Sequence, residues 1–259
     1  MKSFTLTPGT LPILISMPHN GFKIPSQISG VMEPYATKSR DTDWFIDELY
    51  RFAISAEIST LKPEFSRYVI DLNRSPDDIS LYQGSDNTEL CPTTQFDNYP
   101  IYLDNWQPTQ QVIEDRLQKY WFPYHQTLQG ELERLKQLYP VVVLFDAHSI
   151  ASKVPRFFKG QLADFNFGTN DGKSCSAELL EKIKQELSLD GYSSVYNGRF
   201  KGGYITRHYG KPAQGIHSIQ LELSQATYMN ENDLSWNVAK ANKVIPHLKQ
   251  LIKIINDWI

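Results

Sequence analysis

Cysteine is scarce in this chain: 259 residues hold two, Cys91 and Cys175, with no CxxC pair and none of the dense spacing of a disulfide-stapled secreted scaffold. A reducing compartment is therefore expected. Long apolar runs are also missing, and the longest, residues 141–145 (VVVLF), falls far short of the roughly 18 residues that a membrane-spanning helix needs. The N-terminal stretch MKSFTLTPGTLPILISMPHNG carries one lysine and a short apolar run interrupted by Pro8 and Pro12, without a small-residue cleavage site. It does not read as a signal peptide, and the expected location is the cytoplasm. An excess of one charge is absent too. Lys and Arg number 26 against 29 Asp and Glu, a formal charge of −3 with no long like-charge run, so the electrostatic footprint of nucleic acid or of an anionic membrane is missing. Three familiar catalytic signatures fail: there is no GxSxG elbow, no HExxH and no GxGxxG. The segment GTNDGKS at 168–174 has three residues between its glycines where a P-loop has four, and reads as a turn.

What is present is an ordinary globular composition, 41% hydrophobic and 12% aromatic. A chain of this length buries most of its unfolded surface without disulfides or a structural metal, so any metal here should serve chemistry. No repeat, low-complexity segment or Gly/Ser-rich linker divides it, and residues 1–259 read as one domain. Residues 11–17 (LPILISM) and 141–145 are short branched apolar runs of the kind that form strands buried on both faces of a sheet. Residues 66–72 (SRYVIDL) and 218–224 (SIQLELS) alternate, and predict two further strands. Helical periodicity runs over 43–56, over 109–138 with Pro123 and Gly130 expected to kink or split it, over 176–187 and over 235–258. Strands alternating with helices predict an α/β layered fold around a largely parallel or mixed sheet. Residues 157–173, rich in Gly, Asn and Asp, read as a long surface loop, and the Gly- and Tyr-rich stretch 197–214 as the border of a site.

The chemistry is signalled by position. His19 follows the strand that ends at Met17, and Asp146 and His148 follow the strand expected to end at Phe145. In open α/β sheets ligands bind beyond the carboxyl ends of the strands, so two histidines at such exits converge on one crevice. Imidazole is the commonest metal ligand, and a catalytic zinc takes three protein ligands and a water. A lone histidine after a strand is usually a turn residue; a pair at equivalent exits points to metal binding. The third ligand is sought in SRDTDWFIDEL, where Asp41 and Asp43 open a helix. Acidic residues also cap helix N-termini, and spacing alone does not separate cap from ligand; Asp41 is better placed as the cap, which leaves Asp43 as the ligand. Glu222 projects from the middle of a strand, either as a solvated edge position or as a general base beside an activated water. Arg67 and Arg74 flank the segment SRYVIDLNR, with Asn73 beside the second, and residues 191–221 contain no acid but four cations, Arg199, Lys201, Arg207 and Lys211. Such a local positive potential suits an anionic small ligand, although most surface arginines bind nothing.

Taken together, PHNGFKIP, DTDWFIDELY, SRYVIDLNRSP, the segment from Trp121 to His125, DAHSI, NGRFKGGYITRHYG and QLELSQATYM resemble the N-formylglutamate amidohydrolases, in order and over most of the chain as far as Met229. The resemblance implies a three-layer α/β/α domain with a central mixed, mostly parallel sheet, like that of the zinc carboxypeptidases and aspartoacylases. It implies zinc held by His19, His148 and an acid of the DTD motif, with Glu222 as the general base. The DLNR segment resembles the DxNR of the aspartoacylases, so Asn73 and Arg74 would grip a substrate carboxylate and Arg67 would polarise the scissile carbonyl. Arg207 and the nearby Tyr204 are taken as further substrate contacts. The related peptidases draw two ligands from a compact HxxE, whereas His19 is followed by Asn20, Gly21 and Phe22, so the carboxylate comes from farther on, at Asp43. The activity implied is hydrolysis of N-formyl-L-glutamate to formate and glutamate at the end of histidine degradation. The alternatives are another zinc amidohydrolase or carboxypeptidase acting on N-acyl acidic amino acids, and a metal-free dicarboxylate-binding protein. A His/Asp site also accepts cobalt, manganese or iron. Neither the metal nor the oligomeric state is readable from sequence.

Overall fold

The computed structural model describes residues 2–79, 86–104 and 106–259. Nine strands are described: β1 (Phe4–Thr7), β2 (Ile13–Ser16), β3 (Ser59–Pro63), β4 (Val142–Ile150), β5 (Phe165–Gly168), β6 (Ser194–Tyr196), β7 (Ile216–Ser224), β8 (Met229–Asn230) and β9 (Ser235–Trp236). The α-helices are α1 (Ser26–Ser29), α2 (Ile46–Leu49), α3 (Phe52–Ser55), α4 (Gln110–Arg116), α5 (Phe122–Leu138), α6 (Ala177–Glu186), α7 (Tyr204–Tyr209) and α8 (Val238–Trp258). Seven strands form one sheet in the order β1-β3-β2-β4-β7-β5-β6, and β8 pairs with β9 in a small hairpin. Strands β3, β2, β4 and β7 are mutually parallel; β1 is antiparallel to β3, β5 is antiparallel to β7, and β6 runs parallel to β5.

Helices cover both faces, which is why the central strands are apolar on both sides. Ile13, Ile15, Val143 and Phe145 pack in one cluster with Leu49 of α2, Leu179 and Ile183 of α6, and Val244, Leu248 and Leu251 of α8. Leu14, Val142 and Leu144 point the other way, into Tyr124, Leu128, Leu132 and Leu135 of α5 and Ile205 of α7. This is the expected α/β/α layering around a mixed, mostly parallel sheet.

Local chemistry differs from the periodicity in five places. Strand β4 does not stop at Phe145 but runs to Ile150, because residues 142–150 pair one-for-one with residues 216–224 of β7. Asp146 and His148 therefore sit within a strand. Residues 66–72 form no strand: Ser66 N–H donates to Lys23 C=O at 2.9 Å and Asp71 N–H to Leu90 C=O at 2.7 Å, while β3 already occupies the place beside β2. The loop expected at 157–173 contains β5, whose four residues are all buried. The helix expected over 43–56 is two short pieces, its start delayed by Phe45 in the left-handed region at φ 61°. The run 110–138 is continuous, with a π-helical turn at Leu117–Trp121 just before Pro123, which sits in the first turn of α5; Gly130 passes through unbroken.

Candidate active site

The alternation that sends Val142 and Leu144 of β4 toward α5 sends Asp146 and His148 to the same face, nearer the carboxyl end of the strand. The register sets His148 beside Glu222 of β7 and Asp146 beside Gln220. His19 follows β2, the strand on the other side of β4. Its turn packs tightly: a side chain at Gly21 would meet the Phe65 carbonyl at 2.3 Å. Three adjacent parallel strands thus deliver two imidazoles and a carboxylate to one end of the sheet, all buried.

Asp43 closes this group. Its N–H donates to His19 C=O at 3.0 Å, and Oδ2 accepts the Ser149 N–H at 3.0 Å. Nδ1 of His148 lies 3.1 Å and Nδ1 of His19 3.9 Å from that same oxygen. One donor atom from each of His19, Asp43 and His148 falls within 4.8 Å of the others, a separation that suits a shared ion. On the far side of the rings, His19 Nε2 meets Asp71 Oδ1 at 2.6 Å, and His148 Nε2 lies 3.2 Å from Asp146 Oδ1 and 2.8 Å from the Asn73 amide nitrogen. A carboxylate behind each imidazole is the usual support of a metal-ligating histidine. Asp41 takes neither expected role: it accepts from Tyr68 O–H at 2.6 Å and Phe96 N–H at 2.8 Å, away from any helix cap.

Burial and charge compete at each group. Burial and the Arg67 cation lower the pKa of His19 against Asp71. For His148 burial is outweighed by Asp146 and Asp43, which raise it well above the ordinary value. Burial pushes Glu222 up to about 8, with His148 opposing and Asp43 reinforcing the shift. Burial alone would also raise Asp71, but His19 and Arg67 hold its carboxyl well below the usual range.

A cavity of about 140 Å³ opens onto these groups. His19, His148, Glu222, Arg67, Asn73 and Arg74 line it, and so does Arg199. Arg67 is fixed by Asp71 Oδ2 at 2.6 Å, by His19 Nδ1 at 3.2 Å and by the Phe96 ring 4.8 Å below its guanidinium. The buried Nε atoms of Arg67 and Arg74 have no hydrogen-bond partner among the described residues. Arg207 and Tyr204 stand apart from these lining residues. Neither lines the cavity: Arg207 Nε–H turns back to Gly202 C=O at 2.8 Å, and the Tyr204 ring stacks with His208 and leans on Trp121 and His125. Both lie on α7, whereas Arg199 lies in the preceding irregular segment. Asp71 and Asp146 join the site without having been singled out by the sequence pattern. The signals were there: Asp71 stands four residues after Arg67, and Asp146 two residues before His148 on the same strand face.

The family model for N-formylglutamate amidohydrolase matches residues 11–229. A curated N-formylglutamate deformylase of Pseudomonas putida is 43% identical over 99% of this chain and 97% of its own length. The chain belongs to the N-formylglutamate amidohydrolase family. A second curated N-formylglutamate deformylase, of Pseudomonas aeruginosa, is 43% identical over 96% of this chain and 94% of its own. The crystal structure of an N-formylglutamate amidohydrolase from Ralstonia eutropha superposes with a TM-score of 0.83 at 27% identity, covering 100% of this chain and 98% of that one.

Proposed function

We propose that this chain is a metal-dependent N-formyl-L-glutamate deformylase, a single catalytic domain of the cytoplasm that releases formate and glutamate, the last step of histidine degradation. The observation that carries the reading is the buried His19–Asp43–His148 group opening on the same cavity as Glu222 and three arginines. The donor set fits a zinc-type ion: two imidazoles, each backed by a carboxylate, and one carboxylate, leaving room for a water as catalytic sites do. A bound ion supplies Lewis acidity and lowers the pKa of a water toward about 7.

The chain's own residues do the rest. Glu222 takes the water proton on its carboxylate as the water oxygen attacks the formyl carbon, then delivers that proton to the departing nitrogen. A single carboxylate can serve both halves of this exchange. Arg67, held in place by Asp71, faces the negative charge that grows on the formyl oxygen. Arg74 and Arg199 receive the two carboxylates of the substrate, and Asn73 orients the segment between them and His148. An arginine desolvated for a carboxylate is left unpaired by a neutral analogue, so N-formylglutamine should be the poorer substrate by about 100-fold.

The test is formate release from N-formylglutamate, with and without a chelator and with zinc added back. Chelator-sensitive release restored by zinc supports the reading. Activity indifferent to chelation, or equal turnover of N-formylglutamine, would sink the metal or the carboxylate clamp respectively.

A further inference from the structure

The segment 71–74 supplies Asp71 to His19, Asn73 to His148 and Arg74 to the cavity, yet it has no regular secondary structure to hold it. Its geometry must come from elsewhere. Asn73 is tied toward α7, with its side-chain oxygen accepting from Ile205 N–H at 2.8 Å and its carbonyl from Tyr204 N–H at 3.1 Å. A side chain at Gly203 would strike that amide at 2.4 Å. The carbonyls on either side of Asn73 are taken by two rings from the long helix. His125 Nε2 bonds to Leu72 C=O at 2.8 Å, and Trp121 Nε1–H donates to Arg74 C=O at 3.0 Å. Because a carbonyl only accepts, His125 carries its proton on Nε2, and Nδ1 accepts from Tyr209 O–H at 2.9 Å.

The two rings stack, with centroids 3.8 Å apart, and Tyr209 lies parallel to His125 on α7. Trp121 is the last residue of the π turn and His125 stands four residues later, in the first turns of α5. A π turn shifts the residues around it relative to a regular helix, and such turns cluster at functional sites.

We propose that Trp121 and His125 are positioning residues: a stacked pair of donors that fixes the 71–74 segment on both sides of Asn73. His125 sets the residue after Asp71 and so acts on the metal side, through Asp71 and His19. Trp121 sets the Arg74 backbone and so acts on the carboxylate side. The inference rests on the metal and carboxylate roles proposed above, and it predicts that the two rings have separable effects.

The experiment measures zinc affinity of the metal-free protein by calorimetry together with kcat and KM for N-formylglutamate. His125→Phe should weaken zinc binding about 10- to 100-fold, the usual cost of disturbing a ligand's supporting group. His125→Gln, which keeps an N–H donor for Leu72, should recover most of that loss. Trp121→Phe should raise KM several-fold and leave zinc affinity within about twofold of the parent, as expected for loss of a contact remote from the ion. If His125→Phe does not fold, Tyr209→Phe, which frees the ring at Nδ1, should shift zinc affinity in the same direction by less. Equal behaviour of His125→Gln and His125→Phe, or parallel loss of zinc binding and KM in both ring variants, would overturn the proposal in favour of plain core packing. A parent protein that binds zinc but hydrolyses nothing would instead overturn the proposed reaction, and the zinc affinities would still decide the role of His125.

Discussion

The two walls of the cavity are built by different means. His148 and Glu222 belong to a nine-residue parallel ladder between β4 and β7, and His19 leaves the strand next to it. Their places follow from register, and moving one would mean slipping a buried strand. The facing wall, with Arg67, Asp71, Asn73, Arg74 and Arg199, is irregular chain held by discrete hydrogen bonds: Arg67 and the Asn73 N–H donate to Asp71, Trp121 and His125 hold the Arg74 and Leu72 carbonyls, and Arg199 Nε–H donates to Phe157 C=O. The comparison separates two tasks. Distances along the strand wall are set by the ladder as a whole, whereas the irregular wall depends on single hydrogen bonds and can be changed one bond at a time.

The largest effects should come from the strand wall. His148→Ala removes one of three donors, and the expected result is a folded protein without stoichiometric metal and with formate release reduced to background. Metal analysis after gel filtration checks it, and full zinc retention would remove His148 from the ligand set. Glu222→Gln should lower kcat about 100- to 10,000-fold, the range of a general base, while zinc stays bound. Loss of zinc together with activity would make Glu222 a ligand and would redraw that wall.

How much of this is legible in the sequence follows the same division. His19 and His148 are legible as candidates because apolar runs locate the strands and ligands gather at their carboxyl ends, although β4 runs on to Ile150; Glu222 is legible from the alternation of its strand. The partnership with Asp43 is not spelled out by spacing: 105 residues separate it from His148, and it precedes the helix rather than capping it. In the irregular wall, periodicity misleads. SRYVIDL alternates like a strand, yet Tyr68 goes to one cluster and Val69, Ile70 and Leu72 to another, because the segment wraps over the strand ends. The choice between Arg207 and Arg199 is not readable from charge counts along a segment: Arg199 lines the cavity, whereas Arg207 Nε–H is donated to Gly202 C=O.

That choice supplies an intermediate test. Arg199→Ala should raise KM for N-formylglutamate roughly 10- to 100-fold, the value of a charge-assisted hydrogen bond, whereas Arg207→Ala should stay within about twofold. Steady-state kinetics on the two variants decide it. A larger KM effect at Arg207 would mean that the irregular wall rearranges around the ligand, and the contrast with the rigid ladder would then be sharper than the structure alone implies.

The smallest expected effect concerns stability, and its sign follows from burial. Glu222 has its pKa raised from 4.5 to about 8 in the folded, metal-free protein. Between those values the folded state holds a proton that the unfolded state has released, so this group's contribution to stability declines as pH rises through the window. Replacing Glu222 by Gln removes the decline, while the other titrating groups are common to both proteins. The melting temperature of metal-free Glu222→Gln relative to the parent should therefore increase from pH 5 to pH 8, by at least about 2–4 °C, the shift that 1 kcal/mol makes in a chain of this size. Scanning calorimetry at the two pH values measures it. A constant difference would mean that the carboxylate is already ionised in the folded protein, that the strand wall is wetter than its burial indicates, and that the ladder imposes less on this group than the hydrogen bonds of the opposite wall impose on theirs.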